Sequence, residues 1–418
     1  MNKKPNIQIL TAKSTLESDK EQTVDVLVRI TTPANESTNN RRPKINVSLV
    51  LDRSGSMSGS KLDGAKDAAK YCVDQLLATD RLSTVIFDDE IDVLIPSQHL
   101  ENKEKLKRAI ASVQANGSTA LHQAWVRGGL QVSEHIERDA VNRVLLITDG
   151  QANVGETNVD RIVEQTAALA AKGVTTSTIG IGADFNEDLL MPMAEAGQGN
   201  AWHVQEPQDM VKIFATELQG LVNQIGHRVR LNVKPAERVT VAEVLNDFET
   251  DKALKYKLPD LRAGSSLDVV FRLRVPRMER QAGADMARFD LEYVSHESGV
   301  LETVSEIFAV DFDTMEVVNA LSEDLDVAAA AQLLINARAR REAMAQLDRG
   351  EYAASVGTLK SVAASSQALF SAMPDVNFDL MNELDDLKKV TESLHDRGQD
   401  VMSRKQMAYR RESLRKSK

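Results

Sequence analysis

The sequence predicts an α/β domain set into a β-sandwich and followed by a helical region, and three observations predict it. Between about residues 43 and 225, short apolar runs alternate with segments of 3.6-residue periodicity, the pattern of a mostly parallel sheet flanked by helices. On both sides of that stretch the alternation changes to period two, as in half-buried antiparallel strands. From about residue 314 the chain turns to strong helix formers. At 418 residues and 42% hydrophobic content, the chain is long and apolar enough for several domains with real cores.

Taken in order, the N-terminal segment 1–42 contributes a strand at 22–30 to the sandwich. The stretch 35–43, rich in Asn, Ser, Thr and Pro, reads as an exposed crossover into the insert. Within the insert, 43–225, strands are expected at 45–51, 82–87, 91–95, 144–148, 174–181 and 201–204, with helices at 61–77, 103–113, 119–137, 159–171, 187–195 and 209–224. The sandwich resumes over 226–313 with strands at 229–233, 239–244, 267–275, 287–294 and 303–310. Sharing one sandwich between both flanks brings the two ends of the insert together. The helical region, 314–418, opens with a helix at 327–347 favoured by Ala329-Ala330-Ala331 and ended by Arg349-Gly350, and a second helix starts at Glu351. Such a hairpin has the form of a single tetratricopeptide-type unit, but one unit cannot bury its own face, so a simple helical bundle is expected.

Composition narrows the function. The formal net charge is −11, yet residues 403–418 hold Arg404, Lys405, Arg410, Arg411, Arg415, Lys416 and Lys418 against Glu412. A basic tail on an acidic body suits an acidic surface such as nucleic acid, anionic lipid or protein, or contacts within the chain itself. The single cysteine, Cys72, excludes an intrachain disulfide and reads as a buried small hydrophobe on the helix 61–77. No apolar signal core and no run of 18 apolar residues is present, so the chain reads as cytoplasmic and bacterial in style. His99, His122, His135, His203, His227, His296 and His395 lack metal-ligand spacing. No Gly-rich phosphate loop or nucleophile elbow occurs, and Gly180-Ile181-Gly182 reads as a strand-end turn. Trp125 and Trp202 read as packing residues, and Asp88-Asp89-Glu90 and the acidic run 383–386 as solvated turns or helix faces.

The most informative residues are Asp52-Arg53-Ser54-Gly55-Ser56, at the exit of the apolar strand 45–51. A carboxylate and two hydroxyls spaced one residue apart sit where a parallel strand turns into its helix, the usual ligand crevice of an α/β sheet. Oxygen donors of this kind suit Mg²⁺, Mn²⁺ or Ca²⁺, and Gly55 is expected to let the loop bend so that Ser54 and Ser56 point the same way. Asn116-Gly117-Ser118-Thr119-Ala120-Leu121 offers a third hydroxyl from a second loop, that of Thr119. The strand 144–148, followed by Asp149-Gly150, offers a second carboxylate from a third loop.

On these three motifs, with Asp80-Arg81-Leu82 and Gly180-Ile181-Gly182 in support, the region 43–225 resembles the von Willebrand factor type A family. The resemblance implies a Rossmann-like fold and a metal-ion-dependent adhesion site with ligands Asp52, Ser54, Ser56, Thr119 and Asp149. Mg²⁺ is the expected ion, Mn²⁺ and Ca²⁺ being alternatives, and a partner's Asp or Glu would complete its shell. The neighbouring sandwich is similar to the arrangement in inter-alpha-trypsin-inhibitor heavy chains and calcium-activated chloride channel regulators. Family likeness thus implies a non-enzymatic adaptor in a bacterial assembly, with an AAA+ ATPase or a stress or defence system as the expected kind of partner. The alternatives are a metal-assisted hydrolase, since an ion with open positions can activate water, and a protein that assembles with itself through its helical region.

Overall fold

The computed structural model describes residues 4–34, 42–137, 140–373, 377–397 and 401–416, with backbone alone at 395–397 and 401–402. The expected crossover at 35–41 and the side chain of His395 lie outside the described residues. The chain forms two compact units: Met1–Glu36, Gly226–Ser295 and Val300–Lys418 make one, and Ser37–Ile225 with His296–Gly299 makes the other.

The first unit begins with β1 (Asn6–Thr11), β2 (Thr15–Glu17) and β3 (Gln22–Thr31). The second contains β4 (Ile45–Asp52), α1 (Ser60–Gln75), β5 (Arg81–Phe87), β6 (Ile91–His99), α2 (Lys103–Ala111), α3 (Leu121–Ser133), β7 (Val141–Thr148), α4 (Val159–Ala171), β8 (Thr175–Ile181), α5 (Glu187–Ala196), β9 (Gln198–Val204) and α6 (Met210–Val222). Its six strands run in the order β6-β5-β4-β7-β8-β9. All neighbours are parallel except β5 and β6. β4 is buried along its whole length, as expected of a central strand covered by helices on both faces. Its start is pinned by Asp80, whose carboxylate accepts hydrogen bonds from the Ile45 amide at 3.0 Å and the Leu77 amide at 2.6 Å and pairs with Arg42. Cys72 packs in the core with Val47, Leu49 and Phe214, and burial pushes its thiol up to about 12. An inert hydrophobe results.

The sheet carries polar residues where it meets helices. Trp125 donates to Thr176 Oγ1 at 3.1 Å, and Trp202 donates to Glu217 Oε2 at 2.9 Å. Both indoles are therefore anchored packing residues.

The first unit resumes with β10 (Gln224–Pro235), β11 (Thr240–Val244), β12 (Tyr256–Lys257), β13 (Leu261–Arg262), β14 (Ser266–Val275), β15 (Gln281–Ser295) and β16 (Leu301–Asp313). Two sheets result, β1-β3-β14-β11 and β12-β10-β15-β16-β2. They face each other through Phe271 and Phe289, whose ring centroids lie 5.2 Å apart. The expectation of half-buried strands needs correcting for β3 and β14. Val26, Leu27 and Val28, and likewise Val269, Val270 and Phe271, are all fully buried. The reason is a helix on the second face: Leu27 and Val270 pack against Val327, Ala330, Ala331 and Leu334.

Among the described residues that helix is one of five after β16, α7 (Met315–Ala320), α8 (Leu325–Asp348), α9 (Tyr352–Ala372), α10 (Phe378–Arg397) and α11 (Val401–Lys416). α8 to α11 form a bundle around Ala343, Leu347, Leu359, Leu387, Val390, Leu394 and Met407. Within it Glu383 is buried rather than solvated, because Arg340, itself fully buried, donates to it from Nε at 3.1 Å and Nη2 at 2.9 Å. Much of the basic tail is likewise committed inside the unit: Arg404 pairs with Asp348, Arg410 with Glu383, and Arg415 and Lys416 with Glu412. No helix among the described residues is long and apolar enough to cross a membrane.

Candidate metal centre

Adjacent parallel strands bring the two carboxylates together. β4 and β7 are in register with Leu51 opposite Ile147, so Asp52 and the residues after Ile147 leave the sheet side by side. The second loop, before α3, is fastened to the first by backbone bonds from the Asn116 amide to the Arg53 carbonyl at 2.8 Å and from the Gly55 amide to the Gly117 carbonyl at 3.1 Å. The Asn153 and Val154 amides in turn donate to the Thr119 carbonyl at 3.2 and 3.3 Å, tying the loop after β7 to the same point. Three loops are thereby held as one rim.

Side chains run continuously across that rim. Thr148 donates to Asp52 Oδ2, and the Ser54 amide donates to Asp52 Oδ1 at 2.8 Å. Ser54 and Ser56 hydroxyls lie 3.1 Å apart, and Ser56 donates to Asp149 Oδ1 at 2.7 Å. Lys61 donates to Asp149 Oδ2 at 2.5 Å. Thr119 closes the ring from the other side: a methyl group placed on Gly150 would lie 3.3 Å from Thr119 Oγ1 and 3.8 Å from Asp52 Oδ2. All five residues singled out from the sequence thus meet in one place.

Both carboxylates, although at strand ends, are at 0% exposure. Burial pushes the Asp52 acid up to about 6, helped by the charge of Asp149 and opposed by the hydrogen bonds from Thr148 and Ser54. A proton therefore competes with any cation for Asp52 under mildly acid conditions. Two carboxylates and three hydroxyls are an all-oxygen donor set with two negative charges, which fits a hard divalent cation.

Several supporting residues escaped the sequence reading. Thr148 looked like the last residue of a strand, although the register of β4 and β7 makes it the neighbour of Asp52. Lys61 looked like an ordinary helix-start residue. The backbone requirement also lies at another glycine than expected. A methyl on Gly55 would meet nothing closer than the Gly117 carbonyl at 3.6 Å, whereas Gly117 adopts φ +65° and a methyl there would fall 1.8 Å from Asp89 Oδ1. Asp88, expected in a solvated turn, is buried: its carbonyl accepts from the Ala120 amide at 2.7 Å and its carboxylate lies 3.0 Å from Arg53 Nε. Two of the histidines make local contacts: His203 Nε2 sits 2.8 Å from the Gly182 carbonyl and His99 Nδ1 sits 3.0 Å from the Asp80 carbonyl.

Comparison with known proteins agrees with this geometry. Residues 46–216 match the family model of the von Willebrand factor type A domain. An uncharacterised protein of Synechocystis sp. is 31% identical over 196 residues, 47% of this chain and 46% of that protein. Human inter-alpha-trypsin inhibitor heavy chain H3 is 27% identical over 199 residues, 45% of this chain and 22% of that protein. The chain thus spans less than half the length of these curated relatives. Among solved structures, a von Willebrand factor type A protein from Catenulispora acidiphila shares the fold at a TM-score of 0.72 and 16% identity, over 97% of this chain and 96% of that one. The ArnB paralog VWA2 from Sulfolobus acidocaldarius does so at 0.64 and 16%, over 98% of each. A mostly parallel sheet flanked by helices and the family-model match together identify residues 46–216 as a von Willebrand factor type A domain, with the metal-type oxygens on the two strand-end loops after β4 and β7 and on the loop between α2 and α3.

Proposed function

We propose that the chain is a non-enzymatic, divalent-cation-dependent protein-binding module. Asp52, Ser54, Ser56, Thr119 and Asp149 would hold the ion, Mg²⁺ being the best suited and Mn²⁺ or Ca²⁺ acceptable to the same oxygens. The observation that carries this reading is the unbroken hydrogen-bonded path from Thr148 through Asp52, Ser54 and Ser56 to Asp149. It gathers two buried carboxylates that have no core-packing reason to be there.

The ion, when bound, supplies an electrophile for one further oxygen, and a carboxylate is the strongest oxygen donor a protein partner commonly offers. α1 and α3 both begin at this rim, and helix N-termini favour an anion. The two site carboxylates are already engaged by hydroxyl, amide and ammonium donors, which leaves neither of them free to take a substrate proton. By family likeness the expected setting is a cytoplasmic bacterial assembly, with an AAA+ ATPase or a stress or defence system as partner. The test is capture of partners by the full chain with Mg²⁺, with EDTA, and with Thr119→Ala. Capture that needs Mg²⁺ and weakens in Thr119→Ala is expected; capture indifferent to both would place binding elsewhere.

A further inference from the structure

We propose that Lys61 is a resident counter-cation of this site, and that a divalent cation loads by displacing its ammonium from Asp149. The inference rests on the metal-binding reading above. Asp149 has two oxygens and both are spoken for: Oδ1 accepts from Ser56 at 2.7 Å and Oδ2 from Lys61 at 2.5 Å. Two adjacent buried carboxylates would repel each other without a positive charge nearby, and Lys61 supplies one. A cation that takes Asp149 as a ligand therefore meets an internal competitor for the same oxygen.

The side chain is built to leave. Lys61 stands in the first turn of α1 and is 25% exposed, whereas Asp149 is sealed. Its amine already lies 4.0 Å from Asp184 Oδ2, a carboxylate 82% exposed on the rim, which gives the displaced ammonium a second partner. Its stem runs along bare backbone at Gly182, where φ is +73° and a methyl group would sit 3.6 Å from Lys61 Cε. A flexible lysine can swing across such a position, and a compact ammonium on a four-carbon stem exchanges partners more readily than a fixed guanidinium fork. Loading would then move a positive charge from the floor of the site to its rim, where an anionic partner approaches.

The test uses the full chain. Calorimetric titration with Mn²⁺ and with Mg²⁺ should show Lys61→Met binding about tenfold more tightly than the unaltered chain, and Lys61→Arg, which keeps the charge, within about threefold of it. Affinity in Lys61→Met equal to or weaker than that of the unaltered chain would overturn the competitor role while leaving the metal site intact. Absence of any metal binding by all three proteins would overturn the metal reading itself. A second measurement needs no variant: acetylation of Lys61 in the unaltered chain, followed by mass spectrometry, should speed up on adding Mn²⁺. An unchanged rate in a chain shown to bind Mn²⁺ would likewise refute displacement.

Discussion

Replacing Thr148 with valine isolates the contact that holds Asp52, because valine keeps the shape of the buried side chain and exchanges its hydroxyl for a methyl group that cannot hydrogen-bond. That hydroxyl does two things: it donates to Asp52 Oδ2 and it accepts from the Gly150 amide at 3.0 Å. A hydrogen bond to a charged group contributes about 1.5–3 kcal/mol, and an amide left without an acceptor adds about 1–3 kcal/mol where water cannot reach it. Gly150 is only half-buried, so its amide can turn to water and the second contribution is small. Thr148→Val should therefore lose about 1.5–3 kcal/mol of stability in EDTA. It also removes one of the contacts that hold the Asp52 acid down against burial, so Mg²⁺ affinity should fall, by about tenfold near pH 5, where Asp52 is already largely protonated, and by about twofold at neutral pH. Urea denaturation in EDTA and calorimetric Mg²⁺ titration measure the two effects separately. A variant with unchanged denaturation midpoint and unchanged Mg²⁺ affinity would refute the assignment of Thr148 as the residue that positions Asp52.

Two further expectations concern the first unit. Arg340→Leu should cost about 3 kcal/mol by leaving the buried Glu383 with Arg410 as its remaining cation, whereas Arg340→Leu with Glu383→Leu should cost clearly less, since the charges then left over, Arg410 and Asp386, are partly exposed and can turn to water; equal losses in denaturation would show that the ion pair is not the source. Asp290 is buried, which alone would raise its pKa, yet the hydrogen bonds from Lys234, Ser305 and Arg288 hold it down at about 2. Because the folded value is depressed, its stabilisation is fully present above the unfolded value near 4 and is lost as pH falls through 2. Asp290→Asn should thus flatten the acid limb of stability between about pH 4 and pH 2, and an unaltered slope there would count against this network.

How much of this was legible in the sequence depends on which forces set each feature. The strands of the inserted sheet announced themselves because β4 and β7 are buried on both faces and so read as unbroken apolar runs. β2 and β13 did not, being held by pairing with β16 and β10 rather than by any pattern of three or two residues. The double burial of β3 and β14 was invisible for a related reason: period two reports one covered face, and the second cover comes from α8, some 300 residues away from β3. At the site, Asp52, Ser54, Ser56, Thr119 and Asp149 were readable because they lie at strand and loop ends in a recognisable order. Thr148, Lys61 and Gly117 were not, since their roles follow from strand register, side-chain reach and a positive φ, which exist only once the chain is folded. Asp88 and Glu383 were misread because charge suggests solvent until Arg53 and Arg340 are seen beside them.

Binding of the cation itself is the most direct test of the site. Calorimetric titration of Mg²⁺ and Mn²⁺ into the full chain, with Asp52→Asn and Asp149→Asn alongside, measures it. One saturable site in the unaltered chain and none in either variant is the predicted result, with both variants still folded in EDTA. Equal binding in all three proteins, or no binding by a well-folded unaltered chain, would contradict it.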